Sequence, residues 1–568
     1  MKYLFSCFIF LFFCGLSASD SYSQDYLGIA NSAFAGVNGI DVNPASIVIN
    51  PRKWDVTIIG VNFALANNYI GLQQRVFSNS SAASKDNNFA NDYLTKRSSG
   101  ASASVFLGMN LMLPSFMFTR PKHKDAFAFS CRSRVYLNVD GVDPNLAHML
   151  IEGQNDSSLF QQNFNALKIS VQAMVWNEYG ITYGRTVKET SNERLNVAGR
   201  IKLIQGLYSA YLFVNNLDYK FNTKDSVLLL SSLIHYGHST NLEFNPNAAK
   251  FAFGGKPSVG LDLGATYEFH KLTNVRSKIS SQSNTTPLQH EYRYKVGLSV
   301  QDLGWITYLK PPDARDFVAS VQQPMNFSSL STSGTTPLAG ADDSLKLKFA
   351  MNANDTKYRM TLPTLVSAQG DYYAGKNIYV NSTFNYAFQF KNRESKIHEV
   401  TTLSLTPRWD WKWIGAYFPV SYNKYSHVRA GFSLRLGPLI IGTADLLPLL
   451  LKKDLYGVDF HFMLKVPHIH FKKHASNPHN KSRFDVNREK PNKPRKGKSD
   501  MPKKDNSTYE QSHEQPKPEK KKKNESSSPT VKQEKHPRKH IFPKIHLFKK
   551  KRSISNPHKG EHTIYFKL

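Results

Sequence analysis

The sequence predicts an all-β chain whose body is a transmembrane antiparallel β-barrel. Three observations predict it: a dyad alternation that recurs along most of the chain, an export signal with no later spanning helix, and polar connections of unequal length. The alternation is clearest from Glu291 to Gln301. There Tyr292, Tyr294, Val296, Leu298 and Val300 share one face of an extended strand, and Glu291, Arg293, Lys295, Ser299 and Gln301 share the other. Alone, such a strand suits a half-buried sheet in water as well as a barrel wall.

The pattern returns at Leu167 to Val175, Leu195 to Leu203, Val259 to His270, Val428 to Leu436 and Val458 to Val466. Runs of about ten residues cross a bilayer when tilted, whereas a soluble sandwich shows shorter strands with more frequent turns. Charge recurring on the second face, as at Arg200, Lys202, Asp262 and Glu268, calls for a water-filled or plugged lumen rather than a dry two-sheet core.

Met1 to Ser23 has the layout of a secretory signal: Lys2, an apolar run from Leu4 to Leu16, then small residues, with cleavage after Ser19 or Ser23. Cys7 and Cys14 leave with it. Only Cys131 remains, so no internal disulfide is expected. No later stretch is long and apolar enough for a spanning helix. Long polar segments, Asn79 to Gly100 and Pro311 to Asp343, alternate with short ones, as outer loops and inner turns of a barrel do.

The net charge of +30 is concentrated at one end. Residues 472–568 hold 28 Lys and Arg against 10 Asp and Glu, so the body needs no polyanionic partner, and export argues against nucleic acid. That tail, rich in Lys, Pro, Ser and His, is expected to be disordered. It carries an echo. Pro467 to Lys473 reads PHIHFKK and Pro543 to Lys550 reads PKIHLFKK. This is either drifted duplication or a pair of docking elements on a flexible spacer, with His470, Phe471, Lys472, Lys473 and His546, Phe548, Lys549, Lys550 as the contact residues.

Nothing in the sequence forms a persuasive catalytic constellation, and no enzyme activity or cofactor is expected. There is no phosphate loop and no nucleophile elbow. His290-Glu291 lacks a second His, because Tyr294 stands where it should be. His468, His470, His474 and His479 have no flanking ligands to make a metal site. Asp262, Glu268 and Asp302 read as solvated lining. Asp302, Leu303 and Gly304 read as a turn in which the Asp side chain caps backbone N–H groups. Trp305 and Tyr308 suit the headgroup level. So do Trp409, Trp411 and Trp413, whose spacing of two puts them on one strand face.

Tyr26 to Ala45 is rich in Gly and Ala and ends in Asn43-Pro44-Ala45. Read from the residues alone it is a loop leading into the first strand. It also resembles the entry segment of FadL and PorV type outer-membrane barrels, in which that segment packs inside as a plug. GLDLGATYEF (Gly260 to Phe269), VGLSVQDLGWITY (Val296 to Tyr308), MTLPTLVSAQGDYY (Met360 to Tyr373) and FSLRLGPLIIGTADLL (Phe432 to Leu447) resemble a Bacteroidota family of exported barrels without assigned function.

With the signal over 1–23 and the tail over 472–568 read from the residues, the resemblance implies a plug over 24–53 and a barrel of about 14 strands over 54–471. It also implies an outer-membrane location among outer-membrane lipid, with the tail in the periplasm. Two functions follow from it. The first is an envelope anchor or accessory subunit of a secretion complex, its tail docked to peptidoglycan, lipid phosphate or an acidic periplasmic protein. The second is a FadL-like channel or binder for small hydrophobic ligands.

Overall fold

The computed structural model describes residues 28–467, apart from 51, 79–88, 98–101, 153–156, 224–225, 242–254, 271–291, 312–315, 320–324, 327–348, 350, 353–355 and 389–396. The signal segment, the tail and all eight docking residues lie outside the described residues.

Fourteen antiparallel strands close into a barrel. They are β1 (Trp54–Asn67), β2 (Ala103–Met112, continued by Ser115–Arg120), β3 (Asp125–Val142), β4 (Asn163–Glu189), β5 (Glu193–Thr223), β6 (Ser226–His238, continued by Ser258–Phe269) and β7 (Tyr294–Leu303, continued by Trp305–Leu309). Then come β8 (Lys357–Thr361, continued by Leu365–Gly375), β9 (Ile378–Ala387), β10 (Thr402–Asp410), β11 (Ile414–Tyr417 and Val420–Asn423), β12 (His427–Ala430 and Phe432–Leu436), β13 (Leu439–Thr443) and β14 (Gly457–Lys465). Pairing of β1 with β14, from Thr57 opposite Lys465 to Ala66 opposite Gly457, shuts the cylinder. Among the described residues, this closure joins the first strand of the wall to the last, so neither is left as an edge.

That register also puts the start of β1 and the end of β14 at the same end of the barrel. Five of the six connections at that end, β2–β3, β4–β5, β8–β9, β10–β11 and β12–β13, are tight turns, while β6–β7 spans residues 270–293. The expected long segments, 79–100 and 311–343, belong to the connections β1–β2 and β7–β8 at the opposite end.

The outer face is apolar. Ile181 is 67% exposed, Val259 66%, Ile201 62% and Leu298 61%, and exposed hydrophobics continue around the wall through Leu405, Val428, Ile441 and Phe460. A water-soluble monomer rarely shows a contiguous apolar patch beyond a few hundred Å². No helix among the described residues is long and apolar enough to cross a membrane, so strands would have to do it.

The organising strand behaves as read from Tyr294 onward. Val296 and Leu298 face out, and Lys295, Ser299 and Gln301 are buried inside. Tyr292 is the correction. It precedes the strand and turns inward, where its hydroxyl donates to Asp371 at 2.6 Å. Strands β4 and β5, at 27 and 31 residues, also far exceed the expected ten. Their excess length projects past the long-loop end, where it packs Ile169, Val214, Leu217 and Phe221 against Met149 of α1 (Pro144–Glu152). Asp143 caps α1 by accepting from Asn145 N at 2.9 Å, with Pro144 at the first turn.

Candidate functional site: a lumen filled by two internal segments

The charged inner face is not solvated lining. Arg200 and Lys202 on β5 and Glu178 on β4 are fully buried, and the volume between the walls is occupied by protein from two directions.

From the short-turn end comes the entry segment, residues 28–50, as two 3-10 turns, Gly36–Asp41 and Pro44–Ile47. Asn43 starts the second turn by accepting from Ala45 N at 2.9 Å, with Pro44 supplying the fixed first φ. The amide of the same Asn43 reaches the wall. Its Nδ2 donates to Ala265 O at 3.0 Å, Leu298 O at 3.2 Å and Gln369 Oε1 at 3.0 Å, on β6, β7 and β8. Backbone carbonyls are within reach because the wall is bare there: a Cβ on Gly264 would lie 2.2 Å from Asn43 Oδ1. Ser299 Oγ donates to Val42 O at 2.6 Å beside it. Asn43, Pro44 and Ala45 are therefore brought together in one seat. Sequence reading could not supply the partners Gly264, Ser299 and Gln369.

Further contacts fix the rest of the segment. Ser32 Oγ donates to Asp410 at 2.7 Å on β10, and Asn31 to Thr383 at 2.9 Å on β9. Lys465 Nζ, on the last strand, donates to Ala35 O at 2.5 Å and to Asp55 at 3.0 Å on the first. Gly36 needs its missing side chain, since φ is +63° and a Cβ would lie 2.0 Å from Asp55 Oδ1.

From the long-loop end comes Ile397–Thr401, part of the β9–β10 connection, which crosses the lumen to β3. Its backbone holds Asn138 through both the N–H and the carbonyl of His398, at 3.1 and 3.2 Å. Glu399 accepts from Arg134 Nη2 at 3.1 Å and from Tyr136 OH. Ile397 and Val400 join an apolar cluster drawn from across the barrel, including Phe106, Tyr136, Met174, Trp176, Ile306, Tyr308 and Met360.

Between the two segments lies an ionic layer. Arg132 meets Asp41 at 2.8 Å and Glu178 at 2.6 Å, and Arg134 meets Glu178 at 3.1 Å, Asp302 at 2.7 Å and Glu399. Arg200 adds Asp41 at 3.1 Å and Asp262 at 3.5 Å, and Lys202 holds Asp262 at 2.8 Å and Asp302. Burial of so many charges is sustainable only because each has a partner within bonding distance.

Three expectations are corrected here. Asp302 does not cap a turn: its own N–H donates to Asp262 at 2.7 Å, its side chain grips Arg134 and Lys202, and the strand continues past it. The φ of +57° at Asp302, with Gly304 close against Val259 O at 3.0 Å from a would-be Cβ, makes an inward step in the wall rather than a reversal. Tyr308 is fully buried in the lumen cluster, not at a headgroup, although its neighbour Trp305 is 45% exposed outside. Trp409, Trp411 and Trp413 are all exposed, but only Trp409 is in a strand, because β10 ends at Asp410 and the other two sit in the β10–β11 turn. Trp305 and the Trp409 group thus mark opposite ends of the apolar belt.

A cavity beside Asn31, Asn43, Lys295 and Gln369 measures about 20 Å³, room for one water. No group of three or more His, Cys, Asp or Glu among the described residues could hold a metal. Sequence reading also missed Ser433, His461 and Asp459, whose Ser433 Oγ to His461 Nε2 distance is 2.9 Å and His461 Nδ1 to Asp459 distance 3.6 Å. These are the residue types of a hydrolytic triad, but all three are at most 2% exposed, so no substrate reaches the serine.

The chain belongs to DUF5723, a family of unknown function, which it matches over residues 44–444. No curated protein matches it. Its structural neighbours include FadL-type outer-membrane barrels. A Pseudomonas aeruginosa FadL homologue is 11% identical over 79% of this chain and 99% of its own, with a TM-score of 0.36. A deletion mutant of TodX, a monoaromatic hydrocarbon channel, is 10% identical over 79% and 97%, with a TM-score of 0.39. The Pseudomonas putida toluene transporter TodX is 8% identical over 77% and 94%, with a TM-score of 0.29.

Proposed function

We propose that this DUF5723 protein is an outer-membrane barrel that binds or admits a small apolar ligand, with residues 28–50 as its plug and Ile397–Thr401 as a second seal. The location is supported by the closed wall with its apolar exterior. The ligand class is supported by one observation. Above the ionic layer the lumen is filled by apolar and aromatic side chains contributed from many strands, where a pore for hydrophilic solutes would carry polar ones. With room for only one water beside the plug, admission requires a seal to move.

Toluene serves as the probe. Cells expressing the protein in place of their own uptake barrels accumulate it several-fold faster than cells without it, and Val400→Arg, which puts a charge into the cluster, removes the gain while the barrel stays heat-modifiable on gels. Equal accumulation with and without the protein overturns the reading.

The filled lumen favours a second reading, in which the barrel is an envelope anchor or accessory subunit. Here the chain leaves β14 at the short-turn end, which is periplasmic in such barrels, and residues 472–568 dock to peptidoglycan, lipid phosphate or an acidic protein. Crosslinking in intact cells, with and without residues 472–568, separates the two: partners lost with the tail support anchoring, and toluene uptake that survives the deletion supports admission.

A further inference from the structure

The plug and the loop seal do not touch separate parts of the wall. Both carry a carboxylate, and both carboxylates enter the same ionic set. A chain of ion pairs runs Asp41 to Arg132 at 2.8 Å, Arg132 to Glu178 at 2.6 Å, Glu178 to Arg134 at 3.1 Å and Arg134 to Glu399 at 3.1 Å. A second route joins the same ends through Arg200, Asp262, Lys202 and Asp302.

Among the ion pairs of the described residues the charges in this set do not balance, and the imbalance has a sign. The strands supply four cations, Arg132, Arg134, Arg200 and Lys202, and three carboxylates, Glu178, Asp262 and Asp302, so the bare wall carries one excess positive charge. The plug adds Asp41 and the loop adds Glu399. One seated segment makes the set neutral, and two leave it with one excess negative charge. Screening by water is weak here, since the side chains of the four cations are at most 5% exposed.

We propose that the two segments are negatively coupled seals: withdrawal of one carboxylate lets the linked arginines hold the other more tightly, so the barrel opens at one end at a time. Glu178 is the hinge of this exchange, because among the described residues it alone bonds both Arg132, which holds the plug, and Arg134, which holds the loop. Coupling of this kind is reciprocal, so the plug affects the loop by the same factor as the loop affects the plug. The inference rests on the reading of both segments as seals, but it involves no ligand.

The test reads the seals directly in the full chain, in native outer membranes, with Cys131→Ser as background. Ala33→Cys reports plug exposure and Thr401→Cys reports loop exposure, each by its rate of reaction with a water-soluble maleimide, on protein first shown to be folded by heat-modifiable mobility. Asp41→Asn is expected to speed labelling at the plug reporter and to slow it at the loop reporter by about fivefold. Glu399→Gln is expected to do the converse by a similar factor. Should Asp41→Asn fail to fold, the Glu399→Gln arm decides alone. Labelling of the second seal that is unchanged, or faster, when the first is loosened overturns the coupling. That result would leave toluene uptake untouched, whereas failed uptake with intact coupling would overturn only the ligand.

Discussion

Neighbouring residues on β5 live in opposite worlds. Ile201 is 62% exposed on the outer wall, while Arg200 and Lys202 on either side of it are fully buried and ion-paired. A soluble protein would reverse this, hiding the isoleucine and wetting the cations. The inversion holds around the barrel, and it divides the account in two. The outer face is fixed by what it must not contain, namely charge in hydrocarbon. The inner face is fixed by what it cannot leave alone, namely charge without a partner.

The inner half of the comparison breaks most severely. Arg134→Ala strips Glu178, Asp302 and Glu399 of a shared cation and is expected to cost about 3–5 kcal/mol in urea unfolding from lipid vesicles. Ile201→Lys sets a cation one residue from the buried Lys202, on the wrong face. It is expected to cost about 2–4 kcal/mol in the same assay, the price of a Lys near the bilayer midplane. If that variant were as stable as the parent, the outer face would not be in lipid.

Smaller changes sharpen the picture of the seat. Gly264→Val drives a side chain into Asn43 and Pro44 and is expected to cost about 1–3 kcal/mol. It should also speed proteolysis within residues 28–50 without altering the mobility of the folded barrel. Smallest is Trp411→Ala in the β10–β11 turn, expected at about 1 kcal/mol or less, with a larger loss for Trp409→Ala because only Trp409 stands on the wall itself.

The outer face was legible because it obeys a local rule. A residue such as Val296 or Leu298 declares its direction through neighbours two positions away. The inner face obeys no local rule. Arg134 and Glu399 stand 265 residues apart, and Asn43 and Gln369 stand 326 apart, so their meeting depends on closure of the whole barrel. Asp302 shows the cost of reading locally. Asp-Leu-Gly after a strand has the composition of a turn, yet the pull of Arg134 and Lys202 holds it as a step within β7.

The same limit explains Ile397–Thr401. Its residues lack periodicity and gave no sign of a contact across the lumen, since its partners Asn138 and Arg134 lie on the far wall. Asn43-Pro44-Ala45 was visible as a motif because a capped turn is itself a local structure, while the glycine seat that receives it is not.

The claim on which all of this depends is that alternate residues of one strand meet lipid and a packed lumen. Nitroxide labels placed one at a time on residues 296–301 of β7 in reconstituted bilayers measure it most directly, through collision with oxygen dissolved in lipid against a water-soluble nickel chelate. High oxygen accessibility at 296, 298 and 300, with low accessibility to both reagents at 297, 299 and 301, is the predicted result. Chelate accessibility at 296 and 298 would contradict it.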